Sequence, residues 1–258
     1  MTFGQYVAAD SPVHRRDARG KIIALVALMV GVFAAQTWYH WLVWWVALVA
    51  IAYVSKLGMG RVLRGAKGIM VLCLMTVVLN LFMVPGEEIW RWGFLKITKE
   101  SLALSVRMGQ RLLLLVLYAN FLTLTTTPMA LSDGLEAVLS PLKLVRFPVH
   151  QMAMMMTIAL RFIPTLMTET QRVMKAQIAR GADLDTGGLL KRAKAFVPLL
   201  VPLFIIVFQR ADELAQAMES RCYRGGQGRT RLKTFHWNWG DTAMMLFTFG
   251  LAFWTRHW

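Results

Sequence analysis

The side chains best placed to do chemistry are two arginines, each held between small residues. Arg180 stands in Ala179-Arg180-Gly181, and Arg221 stands in Ser220-Arg221-Cys222 ahead of Tyr223-Arg224-Gly225. A guanidinium is always charged and offers a flat fork of donors to acceptors on a partner. The chemistry on offer is therefore docking, because the reactive constellations are missing. No Gly-x-x-x-x-Gly-Lys-Ser/Thr occurs, so the chain is not expected to hydrolyse ATP. No His-Glu-x-x-His or Gly-x-Ser-x-Gly occurs either. His14, His40, His150, His236 and His257 are scattered, and Cys73 and Cys222 have neither disulfide nor metal spacing. No catalytic residue and no metal ligand is assigned. Asp183-x-Asp185 reads as a solvated loop, and the cysteines as small apolar side chains.

Two long amphipathic helices must position the arginines. In the first, Ile163, Leu166, Met167, Val173, Met174, Gln177 and Ile178 follow the i, i+3, i+4, i+7 template. In the second, Phe204, Val207, Phe208, Ala211, Leu214, Ala215, Met218 and Cys222 follow it, which places Cys222 on a buried stripe. A helix from Pro148 to Arg180 spans roughly 50 Å at about 1.5 Å per residue. Pro164 should kink it, since proline removes one backbone donor. The loop 182–188 is short, so the two helices are expected to fold back on each other. Their C-terminal ends then point apart, and Arg180 and Arg221 fall at opposite ends of one rigid unit. Two alike tips imply two alike docking surfaces.

The rest of the chain reads as membrane. Of its 258 residues, 57% are hydrophobic and 17% charged, and the mean hydropathy is +0.49. The net charge of +15 is first a topology signal, because Lys and Arg collect on the cytoplasmic side. The basic residues are dispersed between apolar spans, which argues against nucleic acid as a partner. Arg15, Arg16, Arg19 and Lys21 outnumber Asp10 and Asp17 before the apolar run 22–35. A signal peptide ending near Val32-Phe33-Ala34 fits less well than a hairpin of two spans, 22–35 and 41–54, turning at 36–40. Lys56, Arg61, Arg64 and Lys67 mark the next loop as cytoplasmic. A third span covers 69–84, and a loop with Trp90 and Trp92 faces outside. A fourth span covers 102–125 and carries Arg107 and Arg111, which either snorkel or face protein. Residues 128–142 form a short amphipathic helix. The apolar stretch 196–208 is short for a span and is read as lying along, or dipping into, the cytoplasmic leaflet. A last span covers 240–254. Five spans with the N-terminus inside leave the C-terminus outside. No period of 20–50 residues occurs.

These residues resemble a known family. The Ala179-Arg180-Gly181 and Ser220-Arg221-Cys222 pair is similar to the two Ala-Arg-Gly-type signatures of the transmembrane (T) component of energy-coupling factor transporters, the CbiQ-like family. Ser11-Pro12-Val13-His14-Arg15-Arg16-Asp17-Ala18-Arg19 resembles that family's Ser-x-x-His-Arg-Leu-Asp-Pro-Arg opening. Leu124-Thr125-Thr126-Thr127-Pro128, Pro141-Leu142-Lys143 and Leu160-Arg161-Phe162-Ile163-Pro164-Thr165-Leu166 resemble further stretches in the same order. Arg16 stands where the family has an apolar residue, Ala18 where it has proline, and Cys222 where the second signature has glycine.

The resemblance implies an all-α polytopic protein of the bacterial cell membrane, with about five membrane-spanning helices and a cytoplasmic unit of amphipathic coupling helices. The expected division is a four-span membrane domain (1–127), a coupling-helix domain (128–235) and a C-terminal span (236–258). The N-terminus and coupling helices are expected in the cytoplasm. Two ABC-type ATPase subunits would dock at Ala179, Arg180, Gly181, Ser220, Arg221 and Cys222. A membrane S component would meet Met152, Met154, Met155, Met156, Arg161 and Pro164, and a vitamin or other micronutrient would be taken up. ATP and Mg would be bound by the partner ATPases, leaving this chain without a cofactor. Two other readings stand beside it. One is a membrane-embedded enzyme whose arginines hold an anionic lipid. The other is a permease with its own path, for which only Asn80, Asn120, Arg107 and Arg111 offer polar lining.

Overall fold

A computed structural model describes residues 6–83, 85, 87–92, 95–145, 147–182, 188–225 and 237–257. The helices are α1 (Ala18–Ala34), α2 (Trp38–Val54), α3 (Met59–Met83), α4 (Lys99–Thr125), α5 (Pro128–Val138), α6 (Val149–Ala179), α7 (Leu189–Ser220) and α8 (Trp239–His257), with a 3-10 turn at Ser140–Val145. The protein is an all-α membrane protein with one small addition. The loop expected between the third and fourth spans holds an antiparallel hairpin, β1 (Glu88–Trp92) and β2 (Leu95–Thr98), in which Trp92 pairs with Leu95. The side chains of Trp90 and Trp92 lie outside the described residues. The hairpin runs straight into α4, which starts on a capping box: Ser101 N–H donates to Thr98 Oγ1, and Thr98 N–H donates to Ser101 Oγ.

Two helices, α3 with 25 residues and α4 with 27, are long and apolar enough to cross a membrane on their own measure. The helix α2 is apolar throughout but has 17 residues, the lower end of a spanning length. The chain divides into two compact units, residues 1–141 with 233–258, and residues 142–232.

In the first unit the helix directions follow from cross-helix contacts. Gly20 lies beside Asp241 and Met244, Gly31 lies beside Ala252, and Thr255 Oγ1 donates to Gly31 O, so α8 runs parallel to α1. Lys21 meets the end of α4 while Arg111 reaches Ala35 O, so α4 is antiparallel to α1. Gly65 faces Asn120 and Gly109 faces Val77, so α3 and α4 are antiparallel. The core sits between them, with Trp44, Leu48, Leu114, Leu117, Tyr118, Val32 and Val62 buried. Tyr118 donates its hydroxyl proton to Trp44 O at 2.8 Å, and the two rings meet edge to face at 6.2 Å. A Cβ at Gly31 would overlap the Trp44 indole, so only glycine lets α1 approach this closely. By sequence α5 belongs with the coupling helices. Here it packs on α1 in the first unit, where Gly134 brings it against Ala18.

Polar groups tie one end of this unit. Buried Lys21 donates to Thr125 O (3.0 Å), Thr126 Oγ1 (3.3 Å) and His14 O (3.3 Å). Asp241, 1% exposed, accepts from Asp17 N–H (3.2 Å) and Asn238 N–H (2.9 Å). These bonds gather the N-terminal segment and the starts of α1 and α8 at the end of α4.

Candidate functional site: two capped arginine tips

The second unit holds α6 and α7, and each ends in the same way. Arg180 is the last half-helical residue of α6. Gly181 follows at φ +84, its N–H donating to Ile178 O (2.9 Å), while Ala182 N–H donates to Gln177 O (2.9 Å). These are the two bonds of a Schellman cap. Arg221 holds the same place on α7. Cys222 follows at φ +54, its N–H donating to Glu219 O (2.8 Å), and Tyr223 N–H donates to Met218 O (3.0 Å). The two signatures are thus one backbone motif built twice, with arginine at the cap and a left-handed residue after it. Ala179, Arg180, Gly181, Ser220, Arg221 and Cys222 are all exposed. The cap absorbs the last carbonyls of each helix, so the guanidinium is left to reach outward.

The pairing of α6 with α7 runs through charge. Glu169 Oε1 accepts from Arg172 Nη1 at 3.3 Å and lies 3.6 Å from Arg210 Nη2. Arg180 lies eleven residues beyond Glu169, and Arg221 eleven beyond Arg210. Each tip therefore projects about 16 Å past this contact at about 1.5 Å per residue. Neither Glu169 nor Arg210 was marked by the apolar pattern, although both fall at positions facing the partner helix.

The stripe expected on α6 is partly seated: Ile163, Leu166, Val173, Met174 and Gln177 are half-buried, while Met167 and Ile178 are exposed. The stripe expected on α7 is corrected in part, since of its members only Leu214 and Met218 are half-buried. Phe204, Val207, Phe208, Ala211 and Ala215 are exposed, and the half-buried face is Pro202, Leu203, Ile206, Arg210, Leu214 and Met218. An apolar stripe states that something covers it, and α6 covers a neighbouring face instead. Cys222 likewise does not continue a buried stripe. Its left-handed backbone turns it out of the helical phase, and it is exposed. The stretch 196–208 is the middle of α7, which runs unbroken through Pro198 and Pro202. The helix α6 runs unbroken through Pro164, whose carbonyl accepts from Thr168 Oγ1 at 2.7 Å.

Met152, Met155 and Met156 are exposed on one face of α6, and Met154 is half-buried. Arg161 and Pro164 are exposed. Asp183 and Asp185 lie outside the described residues. Of the four polar groups that a permease would need, three make structural hydrogen bonds. Asn120 Nδ2 donates to Val62 O, Asn80 Nδ2 to Thr76 O and Arg111 Nη2 to Ala35 O, with the Arg111 guanidinium over the Phe33 and Trp41 rings. Arg107 is exposed.

Comparison with known proteins covers both tips. The profile of the CbiQ family, described as cobalt transport protein, matches residues 9–232. The energy-coupling factor transporter transmembrane protein EcfT of Thermanaerovibrio acidaminovorans is 54% identical over 237 residues, spanning 92% of this chain and 88% of the relative. The protein of the same name from Thermosediminibacter oceani is 47% identical over 252 residues, 98% of this chain and 95% of the relative. That from Listeria innocua is 42% identical over 260 residues, 99% and 98%. Likeness of this extent, running from the N-terminal segment past both arginine tips, shows that the chain belongs to the CbiQ family, among relatives that are transmembrane proteins of energy-coupling factor transporters.

Proposed function

We propose that this chain joins two cytoplasmic ABC-type ATPases to a substrate-binding S component in the membrane, and passes the ATPase stroke to it during uptake of a vitamin or other micronutrient. The observation that carries the reading is the duplicated tip: two exposed arginines on identical Schellman caps, one at the end of each long helix. One motif presented twice suits two copies of one kind of acceptor. The chain's part is non-catalytic, and ATP and Mg belong to the ATPases. The tips and the N-terminal segment face the cytoplasm in this reading; for the N-terminal segment the support is the positive charge of Lys56 and of Arg61, Arg64 and Lys67 in the first turns of α3. The exposed methionine face of α6 and the uncovered apolar face of α7 are the surfaces offered to the S component.

Charge reversal tests the docking. A hydrogen bond to a charged group contributes about 1.5–3 kcal/mol, so losing either arginine lowers the coupled step roughly ten- to a hundred-fold. Arg180→Glu and Arg221→Glu complexes are compared with the parent in ATPase co-purification and in uptake. Uptake at the parent rate in both variants rejects the proposal.

A further inference from the structure

Two cavities in the first unit share Pro12 and Arg16 in their walls. A polar cleft of about 420 Å³ is lined by Asp10, Ser11, Arg15, Arg16, Lys56 and Asn238, with Pro12 at its edge. An apolar cavity of about 390 Å³ lies between α1, α2, α4 and α8, with Ala24, Leu28, Ile51, Phe121 and Met244 in its wall. The two together make a slot with a charged mouth and an apolar interior.

The charges in the mouth are not equivalent. Arg15 is held by Asp10 in a two-bond pair, Nε to Oδ1 and Nη2 to Oδ2, both at 2.8 Å. Lys21, in the cavity wall, spends its donors on Thr125, Thr126 and His14. Arg16 and Lys56 remain. Among the described residues neither side chain has a hydrogen-bond or ion-pair partner, although Arg16 is half-buried and its guanidinium lies against Gly240. A half-buried guanidinium that no protein acceptor holds is open to a ligand, and a charge-assisted bond to an anion is about twice as strong as a neutral one. Two unpaired cations favour an anionic acceptor, and the apolar cavity behind them suits a hydrocarbon part.

We propose that this slot binds an anionic phospholipid, with its phosphate on Arg16 and Lys56 and an acyl chain in the cavity between α1, α2, α4 and α8. The lipid comes from the leaflet at the N-terminal end of the bundle. It bridges the N-terminal segment, the end of α2 and the start of α8.

The test uses the full-length protein purified with its co-purifying subunits. Thermal unfolding is followed while phosphatidylglycerol, phosphatidylcholine of the same acyl chains, or inorganic phosphate is added. Each basic residue near an anionic headgroup corresponds to about fivefold in affinity. Phosphatidylglycerol is therefore expected to stabilise at several-fold lower concentration than phosphatidylcholine, and inorganic phosphate to have no comparable effect. Arg16→Leu removes most of that preference. Lys56→Gln, at an exposed position where folding is not at stake, reduces it in the same direction. Equal response to the two lipids, an unchanged preference in Lys56→Gln, or an equal shift with inorganic phosphate alone overturns the proposal.

Discussion

At the scale of single residues, the two arginines were legible because small flanking residues and a following glycine announce a helix end. Their likeness was legible too, but the shared left-handed cap geometry was not. Nothing in Ser-Arg-Cys signals that Cys222 takes φ +54, since left-handed backbone is written in sequence mainly as glycine or asparagine. Placing a non-glycine residue there costs about 1–2 kcal/mol. Cys222→Gly is accordingly expected to slow amide exchange of the last turn of α7 roughly fivefold, because about 1 kcal/mol is that factor. Hydrogen exchange over residues 214–222 reads it, and faster exchange in the variant means the turn holds no strain.

A second residue carries a pH dependence. A carbonyl can only accept, so His14 Nε2 donates to Val7 O (3.1 Å) and Nδ1 accepts from Ser11 Oγ (2.7 Å), which is the neutral ring. Burial, and then the Lys21 charge, hold the imidazole below its ordinary value of 6.5. The folded state thus binds its proton less readily than the unfolded chain. The contribution is present above pH 6.5 and is lost as pH falls through the lower folded value. Thermal stability should drop between pH 7.5 and 5.5 more steeply in the parent than in His14→Gln, at about the unperturbed imidazole range. Parallel profiles would remove His14 from the account.

At the scale of elements, the helices followed from composition and period. Each expected helix is present, but α3 begins ten residues before its apolar run, so Arg61, Arg64 and Lys67 lie in its first turns and not in a loop, and the short helix stops at Val138 and not at 142. Rotation about each helix axis was less legible. The pattern of α7 shows that one face is apolar, but not whether α6 or a partner covers it. Arg210 faces Glu169, and Phe204 and Phe208, stacked at 6.5 Å, face away. The hairpin β1/β2 was missed because a strand of four or five residues in a tryptophan-rich loop has too little alternation to register. The methionine face of α6 belongs to this scale. Methionine is flexible and polarizable, so such a surface repacks against partners of different shape. Replacing the exposed Met152, Met155 and Met156 by valine, stiff at the first torsion, should shift competition between two S components for the same complex. Unchanged relative affinities would reduce these methionines to packing.

At the scale of the whole molecule, the sequence reading of five spans rested on charge in the loops, and the packing of the first unit supplies an independent constraint. The helices α1 and α8 are parallel, while α4 is antiparallel to both α1 and α3. The start of α1, the end of α4 and the start of α8 are hydrogen-bonded into one polar knot through Lys21, Asp17 and Asp241. That knot lies on one side of the bundle, and the turn at 35–37, the hairpin and the end of α8 lie on the other. A membrane plane perpendicular to these helices therefore separates the exposed Asp10, Lys56 and Asn238 from Thr37, Lys99 and Arg256. Single cysteines at these six positions, in a chain with Cys73 and Cys222 replaced by serine, are expected to react with a membrane-impermeant thiol reagent in two groups of three. In sealed cells the Thr37, Lys99 and Arg256 group should react, and in inside-out vesicles the other. The positive charge of the Lys56 loop fixes which group is inside. A mixed result, with Asn238 and Arg256 labelled from the same side, would mean that α8 does not cross, and the five-span architecture would fall with it.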